Sequence, residues 1–333
     1  MILVTGGTGL LGTHLLYDLV SKGKNVRALK RSTSNINQVK EVFAHYSNKS
    51  EDLFNKIEWI DGDILDIPSL EEAFIGITKV YHCAALVSFV KKDYHKLMKI
   101  NVEGTANISN LCLDNNIEKL CYVSSTAAIG KPIKNKIVTE DEAWNREVGN
   151  SNYSKSKFLA EREVWRAQEE GLNMVIVNPC VILGPGNIND SSSTIFKNAK
   201  DGMKFYTEGM NAFVDVRDIT KAMITLMESE ISGERYLVTG ENLYFKDLFT
   251  KSCNAFGTKT PTKKASKFMT GIAWRFEALR TKITGGKPKI TKENTVSAHT
   301  VVKYSSEKLK RELDFNFTSI DDAIANAVKF YKN

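Results

Sequence analysis

The hydrophobic positions in the first half of the chain follow two alternating periods. Short β-branched runs at Ile2–Thr5, Val26–Lys30, Ile57–Asp61, Lys79–His82, Lys119–Ser124 and Met174–Asn178 are separated by longer stretches of helical period. The first of these carries Leu10, Leu11, Leu15, Leu16, Leu19 and Val20, spaced three and four positions apart. Repeated strand–helix alternation predicts a parallel sheet with helices on both faces, because parallel neighbours need a crossover that packs back onto the sheet. Several runs are apolar throughout rather than at every second position, as a sheet buried on both sides requires.

After Pro179 the rhythm weakens. Gly184-Pro185-Gly186 and the polar run Asn189–Thr194 read as loop, and Phe213–Ile219, followed by a helical Thr220–Glu228, can return to the sheet. Further helices are expected at Phe245–Ala255, Ala265–Lys282 and Ile320–Tyr331, the last with Asp321 and Asp322 suited to the positive end of its dipole. The expected architecture is α/β, with a doubly wound parallel sheet over residues 1–178 and about 212–230. A smaller mixed α/β substrate domain is expected from 179–211 and 231–333.

Composition sets bounds. The 333 residues are 42% hydrophobic and 26% charged, which excludes disorder as the main state. Five scattered cysteines without a Cys-x-x-Cys, and five scattered histidines, indicate neither a disulfide framework nor a metal site. The opening residues lack a signal-peptide pattern, and no apolar run reaches the roughly 20 residues needed to span a bilayer. A reducing, cytoplasmic setting is expected.

The net charge of +7 is unevenly placed: residues 251–333 hold 17 basic and 7 acidic side chains, leaving a net −3 for residues 1–250. Residues 259–292 alone carry ten basic residues, Lys287 and Lys289 among them, against Glu277, interleaved with apolar positions such as Phe268, Ile272 and Trp274. The apolar part of this stretch is expected to be buried against the first domain with its lysines in water; a lid or a membrane-surface contact is the alternative. No nucleic-acid module accompanies the charge, so no nucleic-acid partner is expected.

The first chemical motif is Thr5-Gly6-Gly7-Thr8-Gly9-Leu10-Leu11-Gly12, between the first strand and the first helix. Glycines let the backbone turn tightly and approach a pyrophosphate, and the helix start offers free N–H groups and a positive dipole end. This is the signature of a Rossmann-type dinucleotide site. The second strand ends in Lys30-Arg31, where an acid would bind a ribose 2′-hydroxyl; two cations there favour NADP(H) over NAD(H), which remains an alternative. Gly62-Asp63-Ile64 closes the third strand, with Asp63 placed to meet the adenine. Ala84-Ala85 after the fourth strand leaves room for the cofactor.

The second motif is Tyr153-Ser154-Lys155-Ser156-Lys157, downstream of Ser124-Ser125-Thr126 at the end of the fifth strand. Tyr153 and Lys157 share one helix face, and an adjacent ammonium favours the phenolate of an otherwise weak base. Such a tyrosine can exchange a proton with a carbonyl or alcohol oxygen while hydride moves to or from nicotinamide, and a serine can hold that oxygen.

These residues resemble the extended short-chain dehydrogenases/reductases, the NAD-dependent epimerase/dehydratase family. The likeness runs over TGGTGLLG at 5–12, GDILD at 62–66, HCAA at 82–85, NVEGT at 101–105, YVSSTAAIG at 122–130, YSKSK at 153–157, NPCVILGPG at 178–186 and FVDVRDI at 213–219. The resemblance implies Ser125 as the catalytic serine with Ser124 as fallback, Tyr153 as acid/base, and Lys157 as the ribose-binding lysine. It also implies Asn101 as the asparagine of a water relay, Pro179 and Val181 as the segment against the nicotinamide, and a homodimer through helices near Tyr94–Asn115 and Tyr153–Glu170.

Asn211 stands where sugar-nucleotide enzymes of the family carry a clamping arginine. That departure and Lys30-Arg31 make the chain more similar to the dihydroflavonol-reductase-like and 3β-hydroxysteroid-dehydrogenase-like branch. The implied substrate is a mostly apolar small molecule, with Val87, Ser88, Phe89, Asn178, Cys180 and Phe213 as expected pocket residues. The implied activity is carbonyl reduction or alcohol oxidation. A sugar-nucleotide epimerase or dehydratase with tightly held NAD, and a redox-sensing module without turnover, are the alternatives.

Overall fold

The computed structural model describes residues 1–333 except 131–136, 146–149, 287, 289 and 333. Lys287 and Lys289 of the basic stretch therefore lie outside the described residues. Seven strands form the main sheet: β1 (Ile2–Thr5), β2 (Val26–Lys30), β3 (Ile57–Asp61), β4 (Lys79–His82), β5 (Lys119–Val123), β6 (Met174–Pro179) and β7 (Glu234–Val238). Their order is β7-β6-β5-β4-β1-β2-β3 and every pairing is parallel. Successive residues of one strand point to opposite faces, so Leu3, Leu120, Tyr122 and Ile176 fill one hydrophobic cluster while Val4, Cys121, Val175 and Val177 fill the other.

Helix α1 (Leu10–Ser21) packs on one face beside α4 (Val216–Glu228). Helices α2 (Gly104–Asp114) and α3 (Asn152–Glu169) pack against each other on the opposite face. A π-helical turn at Met98–Glu103 leads into α2 and contains Asn101; such a turn widens the helix locally and re-aims its side chains.

Two segments differ from the expected division. Met210–Asp215 does not enter the main sheet; it pairs with Val181–Leu183 and Glu241–Tyr244 in a separate three-stranded sheet. The main sheet is extended instead by β7, whose Glu234 and Arg235 interrupt the apolar run that would have marked it. The small sheet, α5 (Phe245–Phe256) and α7 (Ile320–Lys332) enclose a third cluster around Phe196, Phe213, Leu248 and Ile324.

The larger departure concerns α6 (Lys267–Thr284). Burial of its apolar residues was expected, yet none of its residues is buried. Periodicity defines a stripe on a helix but carries no information about which way the stripe faces.

Candidate active site

The strand order reverses between β1 and β4, which opens a crevice at their carboxyl ends. The glycine motif fills that crevice closely. A Cβ on Gly6, whose φ is +71°, would stand 2.6 Å from the Ala84 nitrogen. A Cβ on Gly12 would stand 2.2 Å from the Gly6 carbonyl oxygen. Helix α1 begins after Gly9 with no side-chain cap, leaving its first N–H groups for an incoming anion. Gly186 lies over this helix start, where a Cβ would meet the Leu10 side chain at 2.8 Å, so the Asn178–Gly186 segment roofs the crevice. A cradle of backbone N–H groups that side chains would fill fits a dinucleotide pyrophosphate.

At the rim, Lys30 is ion-paired with Asp61, its neighbour across β2 and β3, so much of its charge is already matched. Arg31 is exposed; its backbone N–H donates to Ser34 Oγ, and its guanidinium has no hydrogen-bond partner among the described residues. Asp63 accepts the Leu65 N–H at 3.0 Å, and Ile64 is buried with its Cδ1 at the backbone of Gly104.

Helix α3 presents Tyr153, Lys157 and Glu161 on successive turns, and Ser151 caps its start by accepting the Ser154 N–H at 3.0 Å. Tyr153 is half-buried, and the Ser125 hydroxyl faces its phenol. Ser124 points elsewhere: its hydroxyl donates to Glu161 Oε2 at 2.5 Å. The adjacent serines thus have separate roles, Ser125 facing Tyr153 and Ser124 facing the buried carboxylate. Burial raises the Tyr153 phenol, an effect the facing Ser125 hydroxyl partly offsets. This differs from the expectation of a phenol lowered by Lys157.

Lys157 is buried, and its Nζ donates to the Tyr122 hydroxyl and to the Val123 carbonyl, each at 2.8 Å. Burial brings the ammonium down to about 7, opposed by the attraction of Glu161. Glu161 is itself buried and accepts from Asn178 Nδ2 at 2.8 Å and from Arg235 Nη1 at 2.9 Å. Neither Glu161 nor Tyr122 stood out in the sequence, although Tyr153, Lys157 and Glu161 at i, i+4 and i+8 are a readable signal.

Behind Lys157 runs a chain of buried polar groups. The Tyr122 hydroxyl faces Thr105, and Thr105 donates to the Asn101 carbonyl at 2.6 Å. Its proton being used there, Thr105 accepts from His82 Nε2 at 3.1 Å, which makes His82 Nδ1 the acceptor of the Thr5 hydroxyl at 2.6 Å. Thr5 in turn accepts the Ala84 N–H at 3.3 Å. Burial lowers His82 to about 3, so the ring is neutral. Asn101 ties the π-helical turn to its surroundings: its side chain pairs with the Leu86 backbone and donates to Ser156 Oγ at 2.9 Å.

The expected pocket residues separate into two groups. Phe89 is 38% exposed and stands edge-on to the Tyr153 ring at 5.6 Å, Val87 is exposed nearby in sequence, and the Ser88 hydroxyl donates to Asp93 at 2.6 Å. Asn178 is buried and holds the Ser125 carbonyl at 3.1 Å, while Phe213 lies in the core of the small domain against Phe245. These two face inward because strand register, which residue type does not reveal, sets their direction. Pro179 is buried and Val181 and Cys180 are half-buried in the roof.

A parallel sheet with a glycine cradle at its switch point, and a Ser–Tyr–Lys set beside it, defines a dinucleotide-dependent oxidoreductase. A model of the NAD dependent epimerase/dehydratase family matches residues 2–239, and the chain belongs to that family. The putative dihydroflavonol 4-reductase of Synechocystis sp. is 28% identical over 340 residues, covering 99% of this chain and 94% of its own. Sterol demethylase protein B of Methylococcus capsulatus is 28% identical over 337 residues, covering 99% and 98%. The crystal structure of gox2253 superposes with a TM-score of 0.81 at 29% identity, covering 100% of this chain and 98% of that one. The chain is an NAD(P)-dependent oxidoreductase of the extended short-chain dehydrogenase/reductase type.

Proposed function

We propose that this protein is an NADP(H)-preferring carbonyl reductase or alcohol dehydrogenase acting on a mostly apolar small molecule. The observation that carries the reading is the Ser125 hydroxyl facing Tyr153, which stands one turn before the buried Lys157 on α3. The glycine cradle, Ala84 and the Pro179–Val181 roof would hold the dinucleotide, which when bound supplies or accepts the hydride. Ser125 orients the substrate oxygen, and Tyr153, kept protonated by burial, donates its proton to the carbonyl oxygen in the reductive direction. Lys157 stabilises the resulting phenolate and binds ribose hydroxyls, and Asn101 holds the helix turn that faces Ser156.

Exposed Phe89, edge-on to Tyr153, and exposed Val87 two residues before it support an apolar substrate. Asn211, whose carboxamide oxygen accepts the Ala212 N–H at 2.8 Å, offers no diphosphate clamp. The reductase name of the Synechocystis relative points the same way. Arg31 is the group that would meet a 2′-phosphate. A cytoplasmic homodimer formed through the helices around α2 and α3 completes the reading.

Absorbance at 340 nm with a panel of apolar ketones and aldehydes tests it. Oxidation of NADPH by some members is expected. No oxidation of either reduced nicotinamide, together with interconversion of sugar nucleotides, would overturn the proposal.

A further inference from the structure

We propose that α6 is a docking surface for an anionic lipid membrane. At about 100° per residue, Phe268, Met269, Ile272, Phe276, Leu279 and Ile283 fall within one continuous arc of about 100° on the helix. That arc faces solvent: Phe268 is 76% exposed, Phe276 70% and Ile283 75%. Amphipathicity is therefore inverted relative to an ordinary surface helix, whose apolar stripe faces the core. The opposite, inner face carries Thr270, Trp274, Glu277 and Thr281, and Thr270 Oγ1 bonds His299 Nε2 at 2.9 Å. The helix is capped by Ser266, which accepts the Met269 N–H at 3.2 Å, so it is a built element with a chosen orientation.

Charge identifies the occupant. On the helical wheel Arg275 and Lys282 flank one side of the apolar arc and Arg280 the other. Arg280 pairs with Glu277, whereas Arg275 lies over the Trp274 ring and donates to the Gly271 carbonyl, with no acid paired to it among the described residues. Residues 259–292 carry ten basic side chains against one acid. Two copies joined symmetrically through this stripe would oppose cation to cation, while an anionic bilayer surface takes the apolar arc into its headgroup boundary and matches the flanking cations. Among the described residues no helix is long and apolar enough to cross a membrane, so the contact lies in the surface plane.

The test is co-sedimentation of the full chain at low salt with vesicles of equal parts phosphatidylcholine and phosphatidylglycerol, against vesicles of phosphatidylcholine alone. Binding to the anionic vesicles should exceed binding to the neutral ones about tenfold and fall as salt is raised. The combined Phe268→Glu, Phe276→Glu and Ile283→Glu variant should lose about tenfold in binding with an unchanged melting temperature, because these side chains are exposed. Arg275→Gln with Lys282→Gln should abolish the preference for anionic vesicles. Absence of binding by the wild-type chain, or equal binding by the glutamate variant, overturns the proposal. So does light scattering that shows a wild-type dimer, a monomeric glutamate variant and no vesicle binding, since a second copy would then cover the stripe.

Discussion

Lys157 Nζ donates to the Tyr122 hydroxyl at 2.8 Å, and the same ammonium reaches the Val123 carbonyl at 2.8 Å. The lysine is therefore held from behind by β5 as well as by its own helix. Tyr122 links it onward through Thr105 and His82 to Thr5, the residue that opens the glycine motif. Proton-exchanging helix and cofactor loop share one buried line of polar groups.

That contact has a pH signature. Lys157 is charged below about 7 and neutral above it. If the charged form supports catalysis, kcat/KM for carbonyl reduction is level at lower pH and declines through an inflection near 7. Tyr122→Phe removes an acceptor that favours the charged amine, so the inflection should move to lower pH. Steady-state rates across pH for both proteins check this, and an unmoved inflection would separate Tyr122 from the chemistry.

The adjacent serines should behave differently. Ser125→Ala should lower kcat on the order of a hundredfold, as loss of an oxygen-holding donor does, with little change in stability. Ser124→Ala should cost about 2 kcal/mol of stability, because the buried Glu161 carboxylate loses a donor at 2.5 Å. Parallel kinetics and urea unfolding of the two variants decide it; the opposite pattern would exchange their roles.

Cofactor preference should rest on Arg31 more than on Lys30, whose charge Asp61 already matches. Arg31→Ala is expected to weaken NADPH binding about tenfold and leave NADH binding nearly unchanged, as loss of one charge-assisted phosphate contact does. Titration of nucleotide fluorescence measures both. Equal weakening of the two would remove Arg31 as a 2′-phosphate partner.

His82 makes acid stability a test of the buried chain. Its folded-state value is near 3 against an ordinary 6.5. The unfolded chain binds the extra proton between those values, so stability is full above pH 6.5 and falls as pH drops towards 3. Down to pH 4 the loss is on the order of 3 kcal/mol, and His14, lowered to about 4, adds in the same direction. Unfolding free energies from pH 7 to 4 should show a shallower slope for His82→Gln than for the wild-type chain; identical slopes would exclude His82 as a source.

Much of this was legible in the sequence for physical reasons. Strands β1, β5 and β6 hold unbroken apolar runs because both sheet faces are covered there, β2 to β4 are marked by their β-branched residues between helical stretches, and the glycine, serine and Tyr-Lys motifs are local in sequence. Strand β7 was hidden by Glu234 and Arg235, which serve Lys308 and Glu161 respectively. The Tyr122–Thr105–His82 chain joins residues from separate elements, so no spacing announces it. Asn178 and Phe213 were the right residue types for a pocket, but strand register turned them inward. On α6 the apolar period was visible and its outward direction was not.

The most direct measurement uses NADPH carrying deuterium at both nicotinamide C4 positions, incubated with the protein and an apolar aldehyde or ketone that it accepts, followed by mass analysis of the alcohol. Deuterium on the carbinol carbon, lost together with turnover in Tyr153→Phe while NADPH still binds, is the expected result. Unlabelled product, or undiminished turnover in Tyr153→Phe, would contradict hydride transfer assisted by this tyrosine.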